Sequence, residues 1–149
     1  MLITIIIPCY NEIHTLSKII SLVNEQTYID KEIILIDDYS VDGTRDLIKS
    51  SIHNQVSKVI YHDKNLGKGA AIRSGLKIAS GEVILIQDAD LEYNPNNYSD
   101  LLKPIIDGKA DVVYGSRFMG PGPSRALYLW NRIGNKVVTL LCNLCTNLN

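Results

Sequence analysis

Val83-Ile84-Leu85-Ile86-Gln87-Asp88-Ala89-Asp90 decides how the chain folds. Four consecutive apolar residues after Gly81-Glu82 read as a strand buried on both faces, the pattern of a parallel sheet covered by helices on either side. Such a strand delivers the next few residues to the carboxyl edge of the sheet, where open α/β folds bind ligands. Here that edge receives two carboxylates separated by one small residue. Asp88 and Asp90 can both reach the same crevice, and Ala89 lets a ligand come close to the backbone. Oxygen ligands this sparse suit Mg²⁺ or Mn²⁺ arriving with a diphosphate rather than an all-protein metal cage. An acid-rich turn after a strand is also an ordinary solvated turn, so the neighbouring segments must decide between the two.

Upstream, residues 2–8 form a second continuous apolar run, Leu-Ile-Thr-Ile-Ile-Ile-Pro, rich in β-branched residues. It reads as a central strand stopped by Pro8, which cannot donate to a ladder. A helix over 12–24 comes after the loop Cys9-Tyr10-Asn11-Glu12, with Ile13, Leu16, Ile20 and Val23 on one face. Residues 31–36 are the next strand, ending in Asp37-Asp38. The stretch Asp38-Tyr39-Ser40-Val41-Asp42-Gly43 matches the first half of a calcium loop, but Lys49 stands where the bidentate acid belongs. Capping of a helix over 43–50 by Ser40 or Asp42 accounts for the same residues.

A third strand over 56–61 leads to His62-Asp63-Lys64-Asn65-Leu66-Gly67-Lys68-Gly69 and a helix over 70–79. A Walker loop needs Ser or Thr after the lysine, where Gly69 stands, and a dinucleotide fingerprint needs glycine at position 72, where Ile72 stands. Neither motif is present. Gly67-Lys68-Gly69 at a helix N-terminus still offers N–H groups and a mobile cation to an anion. Ile72, Leu76 and Ala79 are expected to pack that helix on the sheet. Beyond the acidic turn come a helix from Asn94-Pro95 to about 107, a short strand over 110–114, and Gly115-Ser116-Arg117-Phe118. The loop Gly120-Pro121-Gly122-Pro123 then opens an apolar, helical stretch to the end. The alternation gives strands near 2–8, 32–37, 56–61, 82–87 and 110–114 in one α/β domain spanning 1–149.

Composition narrows the function. The 149 residues carry 46% hydrophobic and 21% charged side chains, ordinary for a soluble globular chain. Fifteen basic against sixteen acidic residues leave a net charge of -1, which gives no electrostatic footprint for nucleic acid. Three cysteines do not make a disulfide framework and fit a reducing compartment. Cys142 and Cys145 lack a second ligand pair for zinc and read as small core residues. The N-terminus has no basic region or cleavage site of a signal peptide, and the C-terminal apolar run falls short of the about 20 residues a spanning helix needs. His14, His53 and His62 have no obvious partners and are assigned to the surface.

Taken together, Ile7-Pro8-Cys9-Tyr10-Asn11-Glu12, Asp37-Asp38-Tyr39-Ser40-Val41-Asp42-Gly43-Thr44, Asn65-Leu66-Gly67-Lys68-Gly69, Asp88-Ala89-Asp90 and Gly115-Ser116-Arg117-Phe118 resemble, in order, the motifs of family 2 glycosyltransferases. The likeness is to the polyprenyl-phosphate branch, such as dolichyl-phosphate mannose or glucose synthases, and covers residues 2–149. It implies a GT-A type nucleotide-binding sandwich, a nucleotide-diphosphate sugar donor, a divalent metal (Mg²⁺ or Mn²⁺) and inversion at the anomeric carbon. Carried over by motif, it puts the donor nucleoside against Pro8, Tyr10, Glu12, Ile36 and Asp38. Asp88 and Ala89 lie by the ribose and diphosphate, and Asp90, with Glu92 and Asp88, holds the metal. Arg117 and Arg132 receive the phosphate of a lipid-linked acceptor. Members of the family are longer, so the chain looks C-terminally truncated on the acceptor side.

The implied chemistry is coherent. An ionised lipid phosphate is already a nucleophile at pH 7, since a phosphate's second pKa is about 6. An arginine to position it then suffices without a strong general base. A sugar-hydroxyl acceptor, the alternative within the family, needs a base, and a nucleotide-binding fragment without turnover is the alternative outside it. Trp130, Ile133, Val137, Leu140, Leu141 and Leu144 recur at helical spacing beside Arg132 and Lys136. That stripe suits either a bilayer interface at the cytoplasmic membrane face or a buried contact within the domain.

Overall fold

The computed structural model describes residues 1–27, 29–115 and 140. Four strands, β1 (Leu2–Cys9), β2 (Asp30–Asp37), β3 (Lys58–Tyr61) and β4 (Val83–Ile86), form a parallel sheet in the order β3-β2-β1-β4. The helices α1 (Leu16–Asn24), α2 (Thr44–Leu47), α3 (Lys68–Leu76) and α4 (Tyr98–Ile106) connect or follow them. After α2 the chain widens into a π-type turn over Ile48–Ile52 and tightens into a 3-10 turn over His53–Gln55.

The interior strands show why their sequences lack alternation. Ile3, Ile5, Ile7 and Cys9 of β1, with Ile33 and Leu35 of β2, face a core completed by Leu16, Ile19, Ile20 and Val23 of α1, by Ile48 and Ile52, and by Tyr98 and Leu102 of α4. The opposite face carries Ile6, Ile34 and Ile36 against Ala71 of α3. With both faces covered, the central positions are apolar, and the exceptions Thr4 and Glu32 satisfy each other by a hydrogen bond. Gly75 brings α3 this close: a Cβ there would lie 2.9 Å from Ile6 Cγ2 and 3.1 Å from Ile36 Cδ1.

Several expectations need correction. β4 is not buried on both faces. It pairs with β1, and Leu85 is buried, but Ile84 and Ile86 are 38% and 49% exposed because α3 packs on β1 and β2. Ala79, just past the end of α3, packs on the sheet as expected, but the closest contact of the helix is made by Ala71 and Gly75 rather than by Ile72 and Leu76. Leu76 is exposed, because the close approach needs the smallest residues at the contact. Residues 110–114 form no strand: the N–H groups of Lys109 and Ala110 turn back to the carbonyl of Pro104, and Val112 and Tyr114 face solvent. Arg117, Arg132, Cys142 and Cys145 lie outside the described residues, as does the C-terminal apolar stripe apart from Leu140. Among the described residues, no helix is long and apolar enough to cross a membrane.

Candidate active site

The carboxyl ends of β1, β2 and β4 and the start of α3 converge on one cavity of 180 Å³. It is lined by Pro8, Cys9, Tyr10 and Glu12 after β1, by Asp38 after β2, by Lys68 and Ala71 of α3, and by Asp88, Ala89 and Asp90 after β4. Whole small-molecule sites run to about 300–1,000 Å³, so the cavity among the described residues is smaller than a typical complete site. Eight of the site residues expected from sequence therefore meet: Pro8, Tyr10, Glu12, Asp38, Lys68, Asp88, Ala89 and Asp90. Ile36 does not. Its side chain is fully buried under α3, because β2 turns alternate residues to opposite faces and Ile36 shares the face of Ile34. Glu92 is exposed and is not part of the lining.

The loops that carry these groups brace one another. Ser40 Oγ accepts the Asn11 N–H at 2.9 Å, and Asn11 Oδ1 accepts the Val41 N–H at 2.9 Å. Asp42 accepts from the Thr44 N–H and hydroxyl and from the Ile13 N–H. Burial acts to raise its carboxyl, but these donors outweigh it and hold the pKa below the usual range. Asp42, not Ser40, thus anchors the start of α2. Glu12 accepts the Thr15 hydroxyl, while its own N–H donates to Thr44 Oγ1. Asp37, fully buried at the end of β2, pairs with Arg45, which also donates to the carbonyl of His62. The Cys9 thiol is buried, and burial with the nearby Asp37, Glu12 and Asp42 carboxylates pushes its pKa far up. It is an inert wall of the cavity rather than a nucleophile.

Two buried side chains matter that sequence reading missed. His62, assigned to the surface, is 8% exposed: its Nδ1 lies 2.7 Å from Asp38 Oδ1 and its Nε2 2.9 Å from Ser74 Oγ of α3. An ionised carboxylate only accepts, so the Nδ1 proton belongs to that bond. Asp38 also accepts the Leu66 N–H at Oδ1 and the Gly67 N–H, at 2.7 Å, at Oδ2. Gly67 adopts φ 85°, which glycine tolerates without strain. Burial acts to raise the Asp38 pKa, but the Leu66 N–H, the His62 ring and the Gly67 N–H bring it below its ordinary value. Asp38 therefore ties the 62–67 loop to β2 while it lines the cavity. Gln87 is the second. Its Nε2 donates to the carbonyls of Asp88 and Tyr93, and its Oε1 accepts the Tyr98 hydroxyl at 2.7 Å. That clamps the acidic turn to α4. A polar residue ending an apolar strand was the available signal for Gln87; nothing local marks His62.

Lys68 Nζ straddles Asp88, 2.6 Å from Oδ1 and 2.8 Å from Oδ2. Asp90 is exposed, accepts the Glu92 N–H at 3.0 Å, and is followed by Leu91 with φ 65°. Asp88 and Asp90 offer hard oxygen donors, but among the described residues no group of three His, Cys, Asp or Glu side chains gathers to hold a metal ion. The donor set fits a divalent cation that brings further oxygen ligands with it.

A parallel α/β sheet with acids and a helix-opening lysine around one crevice at its carboxyl edge defines a fold of GT-A type. The chain belongs to glycosyl transferase family 2, whose family model matches residues 4–140. It is 34% identical over 123 residues to the dolichol-phosphate mannosyltransferase of Pyrococcus furiosus, covering 82% of this chain and 35% of that protein. It is 35% identical over 117 residues to the undecaprenyl-phosphate 4-deoxy-4-formamido-L-arabinose transferase of Aeromonas hydrophila, covering 75% of this chain and 36% of that one. A solved mannosyltransferase from Pyrobaculum calidifontis, in complex with GDP-Man and Mn²⁺, superposes with a TM-score of 0.59 at 27% identity, covering 68% of this chain and 31% of that one. The chain thus spans about a third of the length of these relatives.

Proposed function

We propose that this chain supplies the donor half of an inverting glycosyltransferase that moves a sugar from a nucleotide-diphosphate sugar to a polyprenyl phosphate. The meeting of Asp88, Asp90 and Lys68 with the Pro8–Tyr10 loop and Asp38 in one cavity carries this reading. The similarity to transferases named for dolichol-phosphate and undecaprenyl-phosphate supports the acceptor class.

In this assignment the nucleoside lies between Tyr10 and Asp38, with Pro8 and Glu12 shaping the wall, and the diphosphate runs past Ala89 toward Lys68. Asp90 is the principal protein ligand of a divalent cation, Mg²⁺ or Mn²⁺, with Asp88 beside it; Mn²⁺ accompanies GDP-Man in the Pyrobaculum calidifontis enzyme. A divalent cation held by Asp90 and Asp88 would supply the positive charge that the departing diphosphate needs. Asp38, held by His62 and the 62–67 loop, positions the donor without moving. The acceptor phosphate, ionised at neutral pH, attacks the anomeric carbon without a strong base. Arg117 and Arg132 are assigned to hold it, from outside the described residues. A polyprenyl acceptor places the reaction at the cytoplasmic face of a membrane.

The test is incubation of the chain, and of a form extended through the acceptor side, with Mn²⁺ or Mg²⁺, labelled UDP- and GDP-sugars and polyprenyl phosphate. Label in the lipid fraction that depends on metal supports the proposal. Transfer to a sugar hydroxyl but never to lipid phosphate overturns the acceptor, and absence of nucleotide binding overturns the donor site.

A further inference from the structure

The ion pair between Lys68 and Asp88 is set by the cavity and not by the helix that carries the lysine. Lys68 opens α3, where unbonded N–H groups make the positive end of the helix dipole, an unfavourable place for a cation. Its ammonium turns to the carboxylate across the crevice and contacts both oxygens, at 2.6 and 2.8 Å. The Lys68 side chain is 58% exposed, so it reaches in from the rim and is free to swing. Asp88 does not depend on it for position, because Gln87 and Tyr98 already fix the turn. Asp90, the neighbouring carboxylate, forms no ion pair among the described residues.

We infer that Lys68 is an exchangeable counter-ion: it neutralises Asp88 while the cavity lacks donor and passes to the donor's diphosphate when that arrives, releasing Asp88. The inference rests on the donor site proposed above. With the ammonium in place, a free divalent cation finds Asp88 already neutralised and rests chiefly on Asp90, which is exposed and holds it weakly. A diphosphate draws the ammonium away by its higher charge and supplies oxygens of its own to the cation. Metal and nucleotide therefore enter together, and neither is well held alone. A lysine suits the exchange, being a point charge on a flexible stem, whereas the planar fork of arginine would clamp the carboxylate.

The test measures Mn²⁺ binding alone, and UDP and GDP binding in the presence of Mn²⁺, by calorimetry on the whole chain and on Lys68→Met and Lys68→Arg. Lys68→Met is expected to bind Mn²⁺ alone about threefold to fivefold more tightly, the scale of an exposed ion pair. The same variant is expected to lose at least about tenfold in nucleotide affinity, the scale of a hydrogen bond to a charged group. Lys68→Arg is expected to bind Mn²⁺ alone no more tightly than the wild type. Opposite shifts in one variant are not produced by loss of structure, which weakens both. Unchanged or weaker Mn²⁺ binding in Lys68→Met, with wild-type nucleotide binding intact, overturns the exchange alone. A wild-type chain that binds neither UDP nor GDP with Mn²⁺ overturns the donor site and the exchange with it.

Discussion

Replacing Glu32 by Gln tests how the sheet beneath the site is held together. Glu32 lies on β2 opposite Thr4 of β1 and is 7% exposed. Its Oε2 accepts the Thr4 hydroxyl at 2.8 Å and the Ser80 N–H at 2.9 Å, and its Oε1 lies 2.6 Å from Lys58 Nζ of β3. One carboxylate thus ties three strands to the turn between α3 and β4. Burial acts to raise its pKa, but Lys58, the Ser80 N–H and the Thr4 hydroxyl together lower it from 4.5 to about 2. At about 1.4 kcal/mol per unit this corresponds to about 3 kcal/mol of stability; Lys58, 42% exposed, is partly screened by water, which brings the expectation to about 2 kcal/mol. Because the folded pKa lies below the unfolded one, that stability is fully present above pH 4.5 and is lost as the pH falls toward 2. An amide has one acceptor oxygen for three donors, so Glu32→Gln forfeits it at all pH values. Urea unfolding, tracked by circular dichroism from about pH 7 to about pH 2.5, is expected to show a gap of about 2 kcal/mol at neutral pH that closes on acidification. Subtracting one protein from the other cancels the acid sensitivity contributed by Asp38 and Asp42. Equal stability at neutral pH, or a gap that persists unchanged to the acid end, refutes the assignment.

Gly81→Ala is expected to cost at least about 2 kcal/mol in a thermal melt, because its Cβ would lie 2.5 Å from the Thr4 nitrogen and 2.7 Å from Thr4 Oγ1. Gln87→Leu leaves the buried Tyr98 hydroxyl without its acceptor and frees the acidic turn, so a loss of about 1–3 kcal/mol in denaturant unfolding should accompany weaker Mn²⁺–nucleotide binding. Asp90→Ala is expected to remove the metal dependence of nucleotide-sugar binding; titrations with and without Mn²⁺ check this, and an undiminished metal effect would exclude Asp90 as the main ligand. Asp38→Ala should weaken binding of the free nucleoside as well as the diphosphate and also release the 62–67 loop, which faster amide exchange at Leu66 and Gly67 would report.

The fold was legible in the sequence where one local pattern leaves a single solution. Ile3 to Ile7 and Ile33 to Ile36 are apolar at nearly every position, and only a strand covered on both sides satisfies such a run. It was least legible where coverage is decided at a distance. Val83 to Ile86 shows the same pattern, yet α3 sits over β1 and β2 and leaves Ile84 and Ile86 partly open. In α3 the periodicity suggested Ile72, Leu76 and Ala79 as the packing face. Ala79 does pack on that face, but within the helix the contact falls on Ala71 and Gly75 instead of Ile72 and Leu76, because the helix lies close enough to Ile6 and Ile36 that only small residues fit. The apolar residues of 110–114 suggested a strand, but no partner strand accepts them among the described residues.

The sequence by itself determined that strands alternate with helices, that acids and a lysine come after strand ends, and which family the motifs belong to. These are properties of neighbours in the chain, set by backbone preference and by which residue types can terminate a strand or open a helix. Only the tertiary structure decided that Lys68 sits on Asp88, that His62 is buried between Asp38 and Ser74, and that Ile36 lies beneath the site instead of facing it. Each depends on groups many residues apart arriving side by side, and such proximity comes from how the sheet orders its strands, not from any stretch of sequence read alone.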